Sequence, residues 1–84
     1  MRMKGRGIMI TVYTKTQCPK CVLTKRYLTQ HHIPFEEKNI EEDVTALEDV
    51  KALGYKEVPV VQLDNGDHFS GFQPDRLAKV NGAL

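Results

Sequence analysis

The chain has two cysteines, and they stand together as Cys18-Pro19-Lys20-Cys21. Two thiols at this spacing can close a ring, supply half of a metal site, or exchange with other disulfides. As a staple the pair is badly placed: in the chain-entropy model a four-residue ring contributes only about 2 kcal/mol. A small secreted domain would also carry several bridges spread along its length. As a metal site the pair gives two ligands where a structural zinc takes four, and His31, His32 and His68 lack the partner spacing of a zinc finger. Exchange is the chemistry that the spacing suits. A thiolate at Cys18 attacks a disulfide and forms a mixed disulfide, and Cys21, one helical turn on, displaces it and closes the Cys18–Cys21 bond.

That chemistry needs a helix beginning at Cys18. Pro19 suits a first helical position, where its missing N–H would have no partner. The unpaired N–H groups and the positive end of the helix dipole then favour thiolate at Cys18. Lys20 adds positive charge, and Lys15 stands close in sequence. On a helical wheel Cys21, Leu23, Thr24, Tyr27, Leu28 and His31 share the half facing a core. Val22 falls on the polar half, an exposed apolar contact beside the pair or an incidental exposed valine. The helix is expected to end near His32, because Pro34 disfavours helical geometry at Ile33.

Upstream, residues 8–14 alternate as a strand, with Ile8, Ile10 and Val12 on one side and Met9, Thr11 and Tyr13 on the other. Residues 35–40 form a weaker, polar strand. A second helix is expected over residues 42–53, with Val44, Leu47 and Val50 inward and Gly54 as its cap. Residues 58–63 are the next strand, Asn65-Gly66 a hairpin turn, and residues 68–72 the returning strand. Pro74 opens a last helix with Leu77 and Val80 buried. The order βαβαββα predicts an α/β fold: a four-stranded mixed sheet flanked by three helices, its first two strands parallel and its last two antiparallel. A C-x-x-C opening the first helix of such a unit is the thioredoxin-type redox arrangement.

Composition agrees with one small domain. The chain has 84 residues, 40% of them hydrophobic and 27% charged, so residues 8–84 are read as a single domain. Residues 1–7 are read as a disordered basic extension, with Met9 an alternative start. Net charge is +1, from twelve Lys+Arg against eleven Asp+Glu. Arg2, Lys4 and Arg6 account for three of the basic residues, and without them the remainder is slightly acidic. That speaks against a nucleic-acid protein. No apolar run reaches a membrane span and no signal peptide is present, so the expected location is cytoplasmic.

Pro59 stands in an apolar strand, where proline fits an edge or a strand start. A cis-proline beside the active site would instead expose the Val58 backbone to a substrate segment. His31 and His32 are read as helix-end residues and His68 as an exposed hairpin residue. Phe69 and Phe72 are more often core than contact.

Ile10-Thr11-Val12-Tyr13-Thr14-Lys15, the cysteine pair, Thr24-Lys25, Gly54-Tyr55, Val58-Pro59-Val60-Val61 and Ser70-Gly71-Phe72-Gln73-Pro74-Asp75 together resemble the NrdH-redoxins, glutaredoxin-like proteins with thioredoxin-like activity. The resemblance spans about residues 9–80, and its discriminating part is Ser-Gly-Phe-x-Pro-Asp. It implies a thioredoxin fold, a cis-proline at Pro59, and no cofactor beyond the Cys18–Cys21 disulfide. It further implies a monomer reduced by NADPH-dependent thioredoxin reductase that passes electrons to the large subunit of class Ib ribonucleotide reductase. By position Cys18 is the nucleophile and Cys21 the resolving thiol. The implied partner surface takes in Lys15, Gln17, Pro19, Lys20 and Val22, then Val58 and Pro59, then Phe69, Ser70, Gly71, Phe72, Gln73 and Asp75.

The chain departs from that family in four places. Pro19-Lys20 is nearer to the Cys-Pro-Tyr-Cys of glutaredoxins; Phe69 replaces a usual Trp; Gln73 replaces a usual Arg; and Glu57 puts a carboxylate before Val58-Pro59. A carboxylate close to Cys18 would oppose thiolate formation, whereas a solvated loop charge would not. The alternative reading is a glutathione-dependent dithiol glutaredoxin, suggested by Cys-Pro-x-Cys and Lys15; against it, Phe72 would crowd the tripeptide where a Gly-Gly turn is usual. An alternative of another class is a non-catalytic metal-binding module.

Overall fold

The computed structural model describes residues 10–63 and 66–83, with side chains up to residue 79. The elements run β1 (Ile10–Thr14), α1 (Pro19–Gln30), β2 (Phe35–Asn39), α2 (Val44–Ala52), β3 (Val60–Leu63), β4 (His68–Ser70) and α3 (Pro74–Ala83). The sheet order is β2-β1-β3-β4. β1 and β2 are parallel, with Ile10 opposite Phe35 and Thr14 opposite Asn39; β3 is antiparallel to both β1 and β4. This is the predicted mixed sheet. The expected extension at residues 1–7, the start at Met9, Ile8, Asn65 of the hairpin turn and the side chain of Val80 lie outside the described residues.

Alternation along β1 sends its side chains to two cores. Ile10 and Val12 join Leu28 of α1, Leu77 of α3, Val61, Leu63 and Phe69 on one face. Tyr13 and Val60 meet Ala46 and Val50 of α2 on the other. The buried Tyr13 hydroxyl lies 3.2 Å from Gln62 Oε1 and 3.4 Å from Asp49 Oδ2. Burial, and then the Asp49 charge, push its phenol above the ordinary value.

Helix ends follow local chemistry. α1 stops at His31, and His32 takes a left-handed φ of 57°. There the His32 N–H donates to the Thr29 carbonyl and that of Ile33 to the Leu28 carbonyl, the paired bonds of a Schellman ending. Gly54 does the same after α2 with φ 93°, its N–H donating to Lys51 and that of Tyr55 to Val50.

Several expectations require correction. α2 begins at Val44, two residues after the predicted start, because the Asp43 carboxylate accepts the Ala46 N–H and caps it. As a first-turn residue Val44 points outward, 71% exposed, and Ala46 takes the inward place. On α1, Leu23 and His31 are exposed rather than inward; the narrow apolar stripe is Cys21, Thr24 and Leu28, with Tyr27 at its edge. His31 lies in a stacked contact with Tyr27 instead. β3 begins at Val60, since Pro59 has no N–H for the ladder, and β4 ends at Ser70. His68 is half-buried, its Nδ1 hydrogen-bonded to the Tyr55 hydroxyl at 2.7 Å.

Candidate active site

Three backbone segments meet at the C-terminal end of β1. The first is the loop from Lys15 to Cys18 and the opening turn of α1. Cys18 is the N-cap residue in extended geometry and Pro19 is the first helical residue. The Cys21 N–H donates to Cys18 Sγ at 3.2 Å. A main-chain donor aimed at that sulfur stabilises negative charge there, as does the helix terminus itself. Cys18 and Cys21 are joined as a disulfide with Cα atoms 5.2 Å apart. Cys18 is 8% exposed and Cys21 2%, so the outer sulfur is the one substrate can meet.

The second segment is Val58-Pro59, with a cis peptide bond between the two residues. The Val58 carbonyl oxygen lies 3.9 Å from Cys18 Sγ. The third is the turn after β4. Gly71, at φ 80°, donates its N–H to the Pro59 carbonyl at 2.8 Å, and Gln73 Nε2 donates to the Ser70 carbonyl at 2.6 Å. The sulfur, the Val58-Pro59 segment and the Ser70–Gly71 turn are therefore one connected surface. A cleft of about 340 Å³ opens beside it, lined by Lys20, Gly54, Tyr55, Lys56, Glu57, Val58, Ser70 and Gly71.

The other expected residues divide clearly. Lys15, Gln17, Pro19, Lys20 and Val22 are exposed around the pair, with Val22 at 47%. Phe69 lies beneath the exposed surface rather than on it. It is 4% exposed, faces the α1–α3 core by strand alternation, and has the Arg76 guanidinium 4.9 Å over its ring. Phe72 also turns partly inward against that core. Asp75 is exposed in the first turn of α3, where a carboxylate complements the helix dipole. Glu57 is an exposed carboxylate on the cleft wall.

Sequence reasoning missed two features. Tyr55 and Lys56 line the cleft, although in the sequence Gly54 has only a capping role and Lys56 none. Glu41 reaches the active-site loop, its Oε1 accepting the Thr16 N–H at 3.0 Å. The available signal was topological: parallel β1 and β2 deliver the loops after them to the same end of the sheet.

No helix among the described residues is long and apolar enough to cross a membrane. The glutaredoxin family model matches residues 10–69. The glutaredoxin-like protein NrdH of Lactococcus lactis subsp. lactis is 42% identical over 72 residues, covering 86% of this chain and 99% of that protein. Its Escherichia coli K12 counterpart is 36% identical over 75 residues, covering 88% and 90%. The solved structure of Escherichia coli NrdH-redoxin, described as glutaredoxin-like with a thioredoxin-like activity profile, superposes with a TM-score of 0.79. It is 34% identical over 84% of this chain and 92% of that one. The chain belongs to the glutaredoxin-like NrdH family, thiol-disulfide oxidoreductases working through a paired cysteine motif that here is Cys18 and Cys21.

Proposed function

We propose that the protein is a protein-disulfide reductase which takes electrons from NADPH-dependent thioredoxin reductase and delivers them to the large subunit of class Ib ribonucleotide reductase. The observation that carries this reading is the Ser70–Gly71 turn, hydrogen-bonded through Gly71 to Pro59 on the surface that meets Cys18. Ser70-Gly71-Phe72 is the segment that sets the NrdH-redoxins apart from glutathione-dependent glutaredoxins.

In this mechanism Cys18 is the nucleophile. Its thiolate attacks one sulfur of the substrate disulfide, and the other sulfur leaves as a thiolate that takes a proton from water. Cys21 then gives up its proton and attacks Cys18 Sγ, releasing the second substrate thiol. Two electrons have moved to the substrate, and the Cys18–Cys21 disulfide awaits reduction.

NADPH-coupled reduction of the oxidised protein in two parallel assays tests the route. One contains thioredoxin reductase; the other contains glutathione and glutathione reductase. Turnover with thioredoxin reductase alone is expected, followed by turnover of class Ib ribonucleotide reductase with the reduced protein as donor. Turnover with glutathione alone would reassign the protein as a dithiol glutaredoxin, in keeping with its Cys-Pro-x-Cys.

A further inference from the structure

We propose that the cleft beside Cys18 selects its disulfide substrates by charge, preferring a cysteine pair flanked by acidic residues. This rests on the protein-substrate reading above and names the chemistry of the segment recognised. Lys20 lies between the two cysteines in sequence and lines the cleft beside Cys18. The cleft continues from Lys20 to Lys56, and Val58, on the same wall, brings its carbonyl oxygen within 3.9 Å of Cys18 Sγ. A substrate segment laid in this cleft would therefore meet two lysines beside the reacting sulfur.

Charge compensation at this cleft is incomplete. Among the described residues the ion pair present is Lys25–Glu37, and neither Lys20 nor Lys56 is in one. Glu57 is the single carboxylate on the cleft wall, against two lysines. Lys15, the other cation of the loop, does not line the cleft; its charge helps to lower the Glu41 carboxyl. The wall carrying Lys56 and Glu57 is held in place. Tyr55 beside them bonds through its hydroxyl to His68 Nδ1 at 2.7 Å, and the two rings meet edge-on at 5.5 Å. A fixed wall with one excess positive charge favours an acidic segment through encounter and binding rather than through the sulfur chemistry.

The test uses protein prereduced with dithiothreitol, which is then removed, mixed with excess oxidised peptide and quenched with an alkylating agent. Two peptides share one disulfide-closed Cys-x-x-Cys ring, flanked by two Asp in one and by two Lys in the other. The acidic peptide is expected to react about fivefold faster at low ionic strength. That ratio should fall towards one at about 1 M salt, where charges are screened beyond about 3 Å. Lys56→Glu should shrink or invert the ratio and Glu57→Lys should enlarge it, and opposite movements at adjacent positions exclude a folding defect as the cause. Equal rates for the two peptides, a faster basic peptide, or both variants moving the ratio in the same direction would overturn the charge selection. No reductase or glutathione is present, so those results leave the electron route standing. Failure to oxidise with either peptide would overturn the selection together with the exchange reading on which it depends.

Discussion

The Glu41 carboxylate accepts the backbone N–H of Thr16 at 3.0 Å and so ties the loop after β2 to the loop that delivers Cys18. Glu41 is itself oriented, its own N–H donating to Asn39 Oδ1 at 2.8 Å. Between Thr16 and the N-cap stands Gln17 at φ 59°, a left-handed conformation that a non-glycine residue adopts at a cost. The Thr16 hydroxyl first, then its N–H, hold the Glu41 carboxyl below its ordinary range, with the Lys15 charge adding to the effect.

Glu41 is accordingly a positioning residue for the sulfur. Glu41→Ala should lower the rate of disulfide reduction by about threefold and displace the pH midpoint of Cys18 alkylation by iodoacetamide. Glu41→Gln keeps an oxygen acceptor for the Thr16 N–H and should restore most of both. If the two variants lose equally, the charge matters and the hydrogen bond does not; if neither changes, the loop needs no such tie.

The two cysteines should fail differently. Cys18→Ser removes the more accessible sulfur, the nucleophile of the proposed mechanism, and should abolish reduction of a protein disulfide. Cys21→Ser leaves attack possible but removes the resolving thiol, so a covalent adduct with the substrate should accumulate on non-reducing gels. Loss of activity in both variants with no adduct in either would contradict these roles.

Strand and helix order could be read from the sequence because the alternation in β1, the apolar run in β3, Pro19, Pro34, Gly54 and Pro74 are local signals for local geometry. The C-x-x-C could be placed for the same reason, since a helix start is written in a few neighbouring residues. What could not be read depended on partners distant in sequence. Val44 has the right period for a buried face, but it lies in the first turn set by the Asp43 cap, and only the packing of Ala46 against the sheet reveals that. His68 is in the hairpin as expected, but half-buried rather than exposed, because Tyr55, 13 positions away, supplies its hydrogen bond. Glu41 and Thr16, 25 positions apart, meet only because β1 and β2 are parallel neighbours.

Gln73 holds the Ser70 carbonyl by one neutral hydrogen bond. On the proposed electron route, Gln73→Ala should loosen the Ser70–Gly71 turn and raise thioredoxin reductase's KM for this protein about fivefold with little change in kcat, in keeping with the ~1 kcal/mol of such a bond. Gln73→Arg introduces the charge usual in the family and should change kcat/KM with that reductase. An unchanged kcat/KM in both variants would exclude this position from docking.

Stability should fall in acid partly through Glu37. Its carboxylate accepts from Lys25 Nζ at 2.9 Å and from Thr14 Oγ1 at 2.8 Å, and the Lys25 bond chiefly lowers its pKa below the ordinary 4.5. Because the folded value is the lower one, the contribution is complete above pH 4.5 and is lost as pH falls through the folded pKa. The pair is partly solvated, so about 0.5 kcal/mol is the expected size. Urea unfolding of wild type and Glu37→Gln should differ at pH 7 and converge as pH falls through the folded pKa. A difference independent of pH would place the effect in packing.

Asp43 and Val44 give opposite expectations at adjacent positions. The Asp43 side chain satisfies the Ala46 N–H at the start of α2, and Asp43→Ala should cost about 1 kcal/mol. In a chain of 84 residues that lowers Tm by about 4–8 °C. Val44, exposed, should tolerate Val44→Ala within about 0.5 kcal/mol, whereas Ala46→Val would force extra methyl groups into the fully buried contact beneath it and cost about 1–3 kcal/mol. Thermal unfolding of the three variants decides between the two registers for α2. If Val44→Ala were the costly change and Ala46→Val the tolerated one, the helix would present the face that its periodicity suggests, and the assignment of Asp43 as its cap would be wrong with it.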